Sequence, residues 1–211
     1  MKEKYTHIAM ILDRSGSMGS TWSDVLGGYK TIVEDNKAAE GECTMTVTVF
    51  DDFIETIENF TPIKDVKDEL TIRPRGSTAL LDAIGTTIVK IGEKLSSLDE
   101  SERPEKVLVI VQTDGQENAS KEYTSDRIKE MVNEQQEKYN WQFQFVGATL
   151  ESVKDAQKWG FIGANTSSYS LGRSADTFAL LSKKSLCARS ANMNQYAASV
   201  AFSEEDKKEI N

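Results

Sequence analysis

The run Lys106–Gln112 (KVLVIVQ) does most to limit the folds open to this chain. It is apolar, rich in β-branched residues and flanked by charge, which is the pattern of a strand buried on both faces of a parallel sheet. Tyr5–Leu12 has the same character. Between such runs lie helical patterns. Trp22, Val25, Leu26, Tyr29, Ile32 and Val33 share one face, with Gly27-Gly28 inside the pattern letting the helix approach the sheet closely. Leu80, Ile84, Ile88, Ile91, Leu95 and Leu98 share another. Ser120–Tyr139 reads as a helix, Trp141–Val146 as a strand and Glu151–Trp159 as a short helix. Cys43–Phe50 and Phe53–Phe60 are separated by Asp51-Asp52, a link short enough only for an antiparallel hairpin. Strands alternating with helices predict a doubly wound, Rossmann-like α/β fold. Its sheet is mostly parallel with one antiparallel edge strand, and helices cover both faces.

Past Gly160 the pattern weakens. Ser174–Ser185 reads as a helix capped by Ser174, and Ala188–Val200 is small and polar. Ser203–Lys208 has an N-cap, early acids and late bases, which suits a short terminal helix.

Charge and composition remove several functions. The 25 basic against 34 acidic residues leave a formal charge of -9, so the basic footprint of non-specific nucleic-acid binding is missing. No apolar run reaches the roughly 18–20 residues of a membrane span. Met1–His7 enters a strand with no apolar signal region, so the expected location is cytoplasmic. Cys43 and Cys187 form no CxxC pattern, which excludes zinc ribbons and redox dithiols. Any Ser-His-Asp or Cys-His mechanism would have to use His7, the single histidine.

In a doubly wound sheet, ligands bind beyond the carboxyl ends of the strands where strand order reverses. Tyr5–Leu12 and Lys106–Gln112 are the expected neighbours at that reversal, and each is followed by a carboxylate, Asp13 and Asp114. Ser15 and Ser17 stand two and four residues beyond Asp13, and Thr78 precedes the second long helix. Two carboxylates and three hydroxyls make an all-oxygen set suited to a hard divalent cation, Mg2+ first, with Mn2+ or Ca2+ as alternatives. Without thiolate or imidazole, zinc is a poor candidate.

Asp13-Arg14-Ser15-Gly16-Ser17-Met18 after an apolar strand resembles the DxSxS signature of von Willebrand factor A (VWA) domains. Gly76-Ser77-Thr78 resembles that family's second loop and Thr113-Asp114-Gly115 its third, in the same order and at the same element boundaries. The resemblance is to stand-alone intracellular VWA proteins of bacteria and phages. It implies a VWA-like domain over residues 4–187, followed by a tail of 188–211 with a short helix. It also implies a complete metal-ion-dependent adhesion site (MIDAS), with Asp13, Ser15, Ser17, Thr78 and Asp114 as ligands. In such a site a Glu or Asp of a partner protein completes the coordination, and the function is binding without catalysis. By the same analogy the partner is an AAA+ ATPase or another multiprotein assembly.

Plainer roles stand beside these. Asp13 with Ser15, and Thr78 alone, suit helix caps. Asp114-Gly115 suits a turn, and Asp51-Asp52 a hairpin tip without metal. His7 reads as a packed or edge histidine. Arg14, Arg73 and Arg75 are either solvated rim residues or a basic collar that draws in a partner carboxylate. Gln116-Glu117-Asn118 stands where it could shape partner choice. Glu204-Glu205-Asp206 is a solvated helix start or, alternatively, the source of the metal's missing carboxylate, in cis or from a neighbouring copy. The competing function is a Mg2+-dependent phosphoryl-transfer or hydrolytic enzyme using the same site. Against it stand the missing GxxxxGK loop, Ser15 in place of the second acid of a DxDx(T/V) pattern, and Ser15 where a GxSxG elbow needs glycine.

Overall fold

In the computed structural model, which describes residues 1–211, the two apolar runs become the adjacent central strands β1 (Lys2–Asp13) and β4 (Pro104–Thr113). They pair in parallel, Ile8 opposite Leu108 and Leu12 opposite Gln112. On one side follow β2 (Glu42–Phe50), parallel to β1, and β3 (Ile54–Pro62), antiparallel to β2. On the other are β5 (Gln142–Gly147) and β6 (Thr166–Ser168), both parallel. The order β3-β2-β1-β4-β5-β6 places the reversal between β1 and β4.

Side-chain alternation along the strands separates two cores. Ile8, Met10 and Leu12 of β1 point to one side, with Leu108 and Ile110 of β4. That side is closed by α1 (Trp22–Ala38), α5 (Ser174–Ser190), α6 (Met193–Val200) and α7 (Glu204–Ile210). Ala9 and Ile11 point to the other, with Val107, Val109 and Val111, under α2 (Leu80–Ser96), α3 (Ser125–Tyr139) and α4 (Leu150–Lys158). The doubly wound architecture with one antiparallel edge strand is therefore the one expected.

Details differ, each for a local reason. The hairpin link is Asp51–Phe53, one residue longer than expected. The Asp51 amide donates to Phe53 O at 3.1 Å and the Phe53 amide to Asp51 Oδ1 at 2.7 Å, which turns the Phe53 side chain outward. Helix α3 starts at Ser125 with Thr124 as its cap, not at Ser120. Gly28 serves contact between helices and not contact with the sheet: a Cβ there would lie 2.1 Å from Cγ of Phe178 on α5. Ser174 is not a cap but the first residue of α5, its hydroxyl donating to Leu171 O at 2.8 Å. The short strand β6 carries no apolar run and had no sequence signal. Helix α5 runs on past residues 187 and 188 to Ser190, and Ala188, Tyr196, Val200, Phe202 and Ile210 all enter the core.

Candidate metal centre

Asp13 is the last residue of β1, so its side chain starts from a backbone position held by the sheet. Oδ1 accepts the Ser15 amide at 2.7 Å, and Oδ2 accepts the Thr113 hydroxyl at 2.5 Å. The second bond joins the carboxyl ends of β1 and β4 through side chains. Ser17 Oγ donates to Asp114 Oδ1 at 2.7 Å and lies 3.1 Å from Ser15 Oγ. Thr78 is brought in by the third loop: its amide donates to Asn118 Oδ1 at 3.0 Å, and its carbonyl accepts the Asn118 and Ala119 amides.

Gly115 reveals where these groups meet. A Cβ on it would stand 3.3 Å from Thr78 Oγ1 and 3.9 Å from both Asp13 Oδ2 and Ser17 Oγ. One small space is thus faced by an oxygen from each of the first two loops and closed by the third. Asp13, Ser15 and Thr78 are buried, Asp114 is half-buried and Ser17 is exposed, so the space opens to solvent on the Ser17 side.

The electrostatics suit a cation. Burial pushes Asp13 up to about 6, and the neighbouring Asp114 charge adds to this, while bonds from Thr113 and Ser15 oppose it. Asp114 is also raised by burial, against its bond from Ser17. The nearby guanidinium groups of Arg14 and Arg75 turn to Asp51 and Glu55 instead. Two carboxylates without a cation partner, beside neutral hydroxyl oxygens, match the donors that hard divalent ions take. No group of three or more His, Cys, Asp or Glu side chains anywhere in the chain is placed to hold a metal ion, so this site depends on hydroxyl oxygens beside its two carboxylates.

The capping roles are not used. The residue before α2 is Ala79, with no side-chain cap bond, and α1 follows Thr21, also without one. Arg14 is not a solvated rim residue: it is buried, bonding Asp51 at 3.0 Å and Glu55 at 2.8 Å. His7 lies mid-strand, six residues from Asp13, or about 20 Å along an extended chain, and serves no chemistry there. Of the acidic tail cluster, Asp206 is committed to Lys184 at 2.6 Å and to a capping box with Ser203.

Several supporting roles were missed. Thr113 orients Asp13, and Glu117 gathers the Leu81, Ala119 and Ser120 amides at 2.7–2.9 Å. Asp82 accepts three amides, from Lys121, Glu122 and Tyr123, which is why α3 cannot begin at Ser120. Two of the three residues Gln116-Glu117-Asn118 thus brace the loops from within. Only the strand-end position of Thr113 offered a signal in the sequence.

No protein-family model matches this sequence, and no curated protein does. Solved structures do. One is von Willebrand factor type A from Catenulispora acidiphila, with TM-score 0.58 and 13% identity over 87% of this chain and 43% of that one. The fold is that of a VWA domain. A second VWA-like match is proximal thread matrix protein 1 (PTMP1) from the mussel byssus, solved with a zinc-occupied MIDAS motif. Its TM-score is 0.60, with 16% identity over 86% of this chain and 46% of that one. A third is the manganese-loaded TRAP protein of Plasmodium vivax, TM-score 0.57, 13% identical over 83% of this chain and 72% of that one. The chain spans less than half the length of the PTMP1 chain that it matches. No helix of this VWA fold is long and apolar enough to cross a membrane.

Proposed function

We propose that this VWA-fold chain is a non-enzymatic, divalent-metal-dependent protein-binding module. Asp13, Ser15, Ser17, Thr78 and Asp114 would hold Mg2+, and a Glu or Asp of a partner protein would complete its coordination. One observation carries the reading: oxygens of Asp13, Ser17 and Thr78 face a single space beside Gly115, with Asp114 and Ser15 bonded to Ser17 at its mouth. When bound, the cation supplies an electrophilic anchor for a carboxylate. The chain's own residues do the rest. Thr113 and the Ser15 amide fix the Asp13 carboxylate, and Glu117 and Asn118 fix the second and third loops around Thr78.

The structural relatives support a divalent ion without choosing one, since PTMP1 was solved with zinc and TRAP with manganese. Zinc therefore belongs in the competition experiment, although the all-oxygen donor set favours Mg2+. The partner we propose is a component of a multiprotein assembly, such as an AAA+ ATPase, that presents an acidic side chain.

Calorimetric titration with Mg2+, Mn2+, Ca2+ and Zn2+ tests the site. Asp13→Ala or Asp114→Ala should abolish binding and the thermal stabilisation that accompanies it. Equal binding by both variants would overturn the ligand assignment. A partner captured only without EDTA, and not by Asp114→Ala, tests the binding role. Mg2+-dependent phosphatase or ATPase turnover lost in the same variants would replace that role with an enzymatic one.

A further inference from the structure

Asp51 joins three segments around the metal centre without being a ligand. Its carboxylate is 1% exposed. Oδ2 accepts Arg14 Nε at 3.0 Å and Arg75 Nε at 2.7 Å, and Oδ1 accepts the Phe53 amide. Its carbonyl accepts the Ala79 amide at 3.0 Å, just beyond Thr78. Main-chain bonds lace the same segments together: Arg75 N to Arg14 O at 2.8 Å, Gly16 N to Gly76 O at 3.1 Å and Arg14 N to Phe50 O at 2.8 Å.

Both arginines therefore leave from backbone that touches the metal loops. Arg14 is the immediate neighbour of Asp13, and the Arg75 amide is bonded to Arg14 itself. Asp13 and Asp114 are partly or wholly enclosed carboxylates that attract any free cation within reach. A guanidinium released here would compete with a divalent ion for the carboxylates or repel it.

We propose that Asp51 is a positioning residue of the metal centre, drawing the Arg14 and Arg75 guanidinium groups onto the hairpin tip and keeping their charge off the Asp13–Asp114 pair. The inference rests on the metal-binding reading above. It concerns affinity for the ion and leaves the ligand set unchanged.

The test is calorimetric Mg2+ titration of the full chain in four forms. Asp51→Asn keeps an acceptor for the Phe53 amide and leaves Glu55 to Arg14, but releases one unit of positive charge. Its Mg2+ affinity should fall about tenfold. Arg75→Gln alters a side chain that is 63% exposed and should bind Mg2+ about threefold more tightly than the wild type. The double variant should return to within about threefold of the wild type, because the charges again balance. The Asp51→Asn deficit should also shrink in 0.5 M NaCl, where the Debye length falls to a few ångströms.

A purely structural Asp51 predicts otherwise: the double variant would bind no better than Asp51→Asn, and salt would not restore it. That result, or unchanged affinity in Asp51→Asn, overturns the proposal. If Asp51→Asn does not fold, Arg75→Gln decides alone, and unchanged or weaker binding overturns it. A wild-type chain that binds no divalent ion overturns the metal reading itself, whereas normal wild-type binding with either failure above overturns only the role of Asp51.

Discussion

His7 shows how a residue type rare enough to invite a catalytic reading is used instead for packing. Its Nδ1 lies 2.9 Å from Thr44 Oγ1, and its ring stacks on Phe60 with centroids 3.8 Å apart. Burial lowers its pKa from 6.5 to about 3. The folded chain thus holds His7 neutral where the unfolded chain binds a proton. Its contribution is fully present above pH 6.5 and is lost as pH falls through 6.5 toward 3. Urea unfolding at pH 4.5 should show about 2–3 kcal/mol less stability from this source than at pH 7. His7→Phe, which keeps the stack, should flatten that part of the pH profile; an unaltered profile would place the titration elsewhere. The contrast with Asp13 is instructive. Both are buried residues of β1, but Asp13 stands at the strand's end, where the loops open and a cation can reach it.

At the scale of elements, the pair Gly27-Gly28 separates propensity from packing. Gly27 is exposed, with nothing within 4 Å of an added Cβ, whereas one on Gly28 would meet Phe178 at 2.1–2.6 Å. Gly27→Ala should therefore stabilise the protein by about 0.5–1 kcal/mol through helix propensity. Gly28→Ala gains the same propensity but overpacks α1 against α5, and should destabilise it by about 1–3 kcal/mol. Thermal denaturation of the two variants reads the difference in sign directly, and a shared sign would refute the close approach of the helices. Sequence periodicity located α1 well, because its apolar face repeats from Trp22 to Val33, about three turns. It could not say which neighbour the glycine admits, since Phe178 lies far along the chain. The same limit explains β6 and the start of α3: neither has an apolar period, and both are set by bonds to residues distant in sequence.

For the whole molecule, the last 21 residues behave as a layer of the fold. Tyr196, Val200, Phe202 and Ile210 are buried in the core beneath the sheet, and Lys106 reaches from β4 to the carbonyls of Arg189 and Ala191. Burying four such side chains contributes roughly 6–12 kcal/mol, comparable with the full stability of a typical domain. Truncation after Ser190 should therefore abolish cooperative thermal unfolding; a truncated chain that stays folded, with raised partner affinity, would restore the tail to a regulatory role.

The sequence by itself determined the alternation of strands and helices, and with it a sheet whose reversal lies between β1 and β4. Strand-end positions then brought Asp13 and Asp114 to one edge, because parallel strands entering one sheet must finish on the same side. Hydrophobic periodicity is a local property and survives in one dimension. Tertiary structure alone decided which polar groups are already spoken for: Asp51 holds two arginines, Glu117 and Asp82 brace loop amides, and Asp206 is tied to Lys184. It also decided that Tyr196, Val200, Phe202 and Ile210, scattered through a stretch without apolar periodicity, belong to the core. The physical reason is common to both. A hydrogen bond or a buried contact depends on partners that the fold brings together, and in this chain those partners are often dozens of residues apart; Thr113 is 100 residues from Asp13.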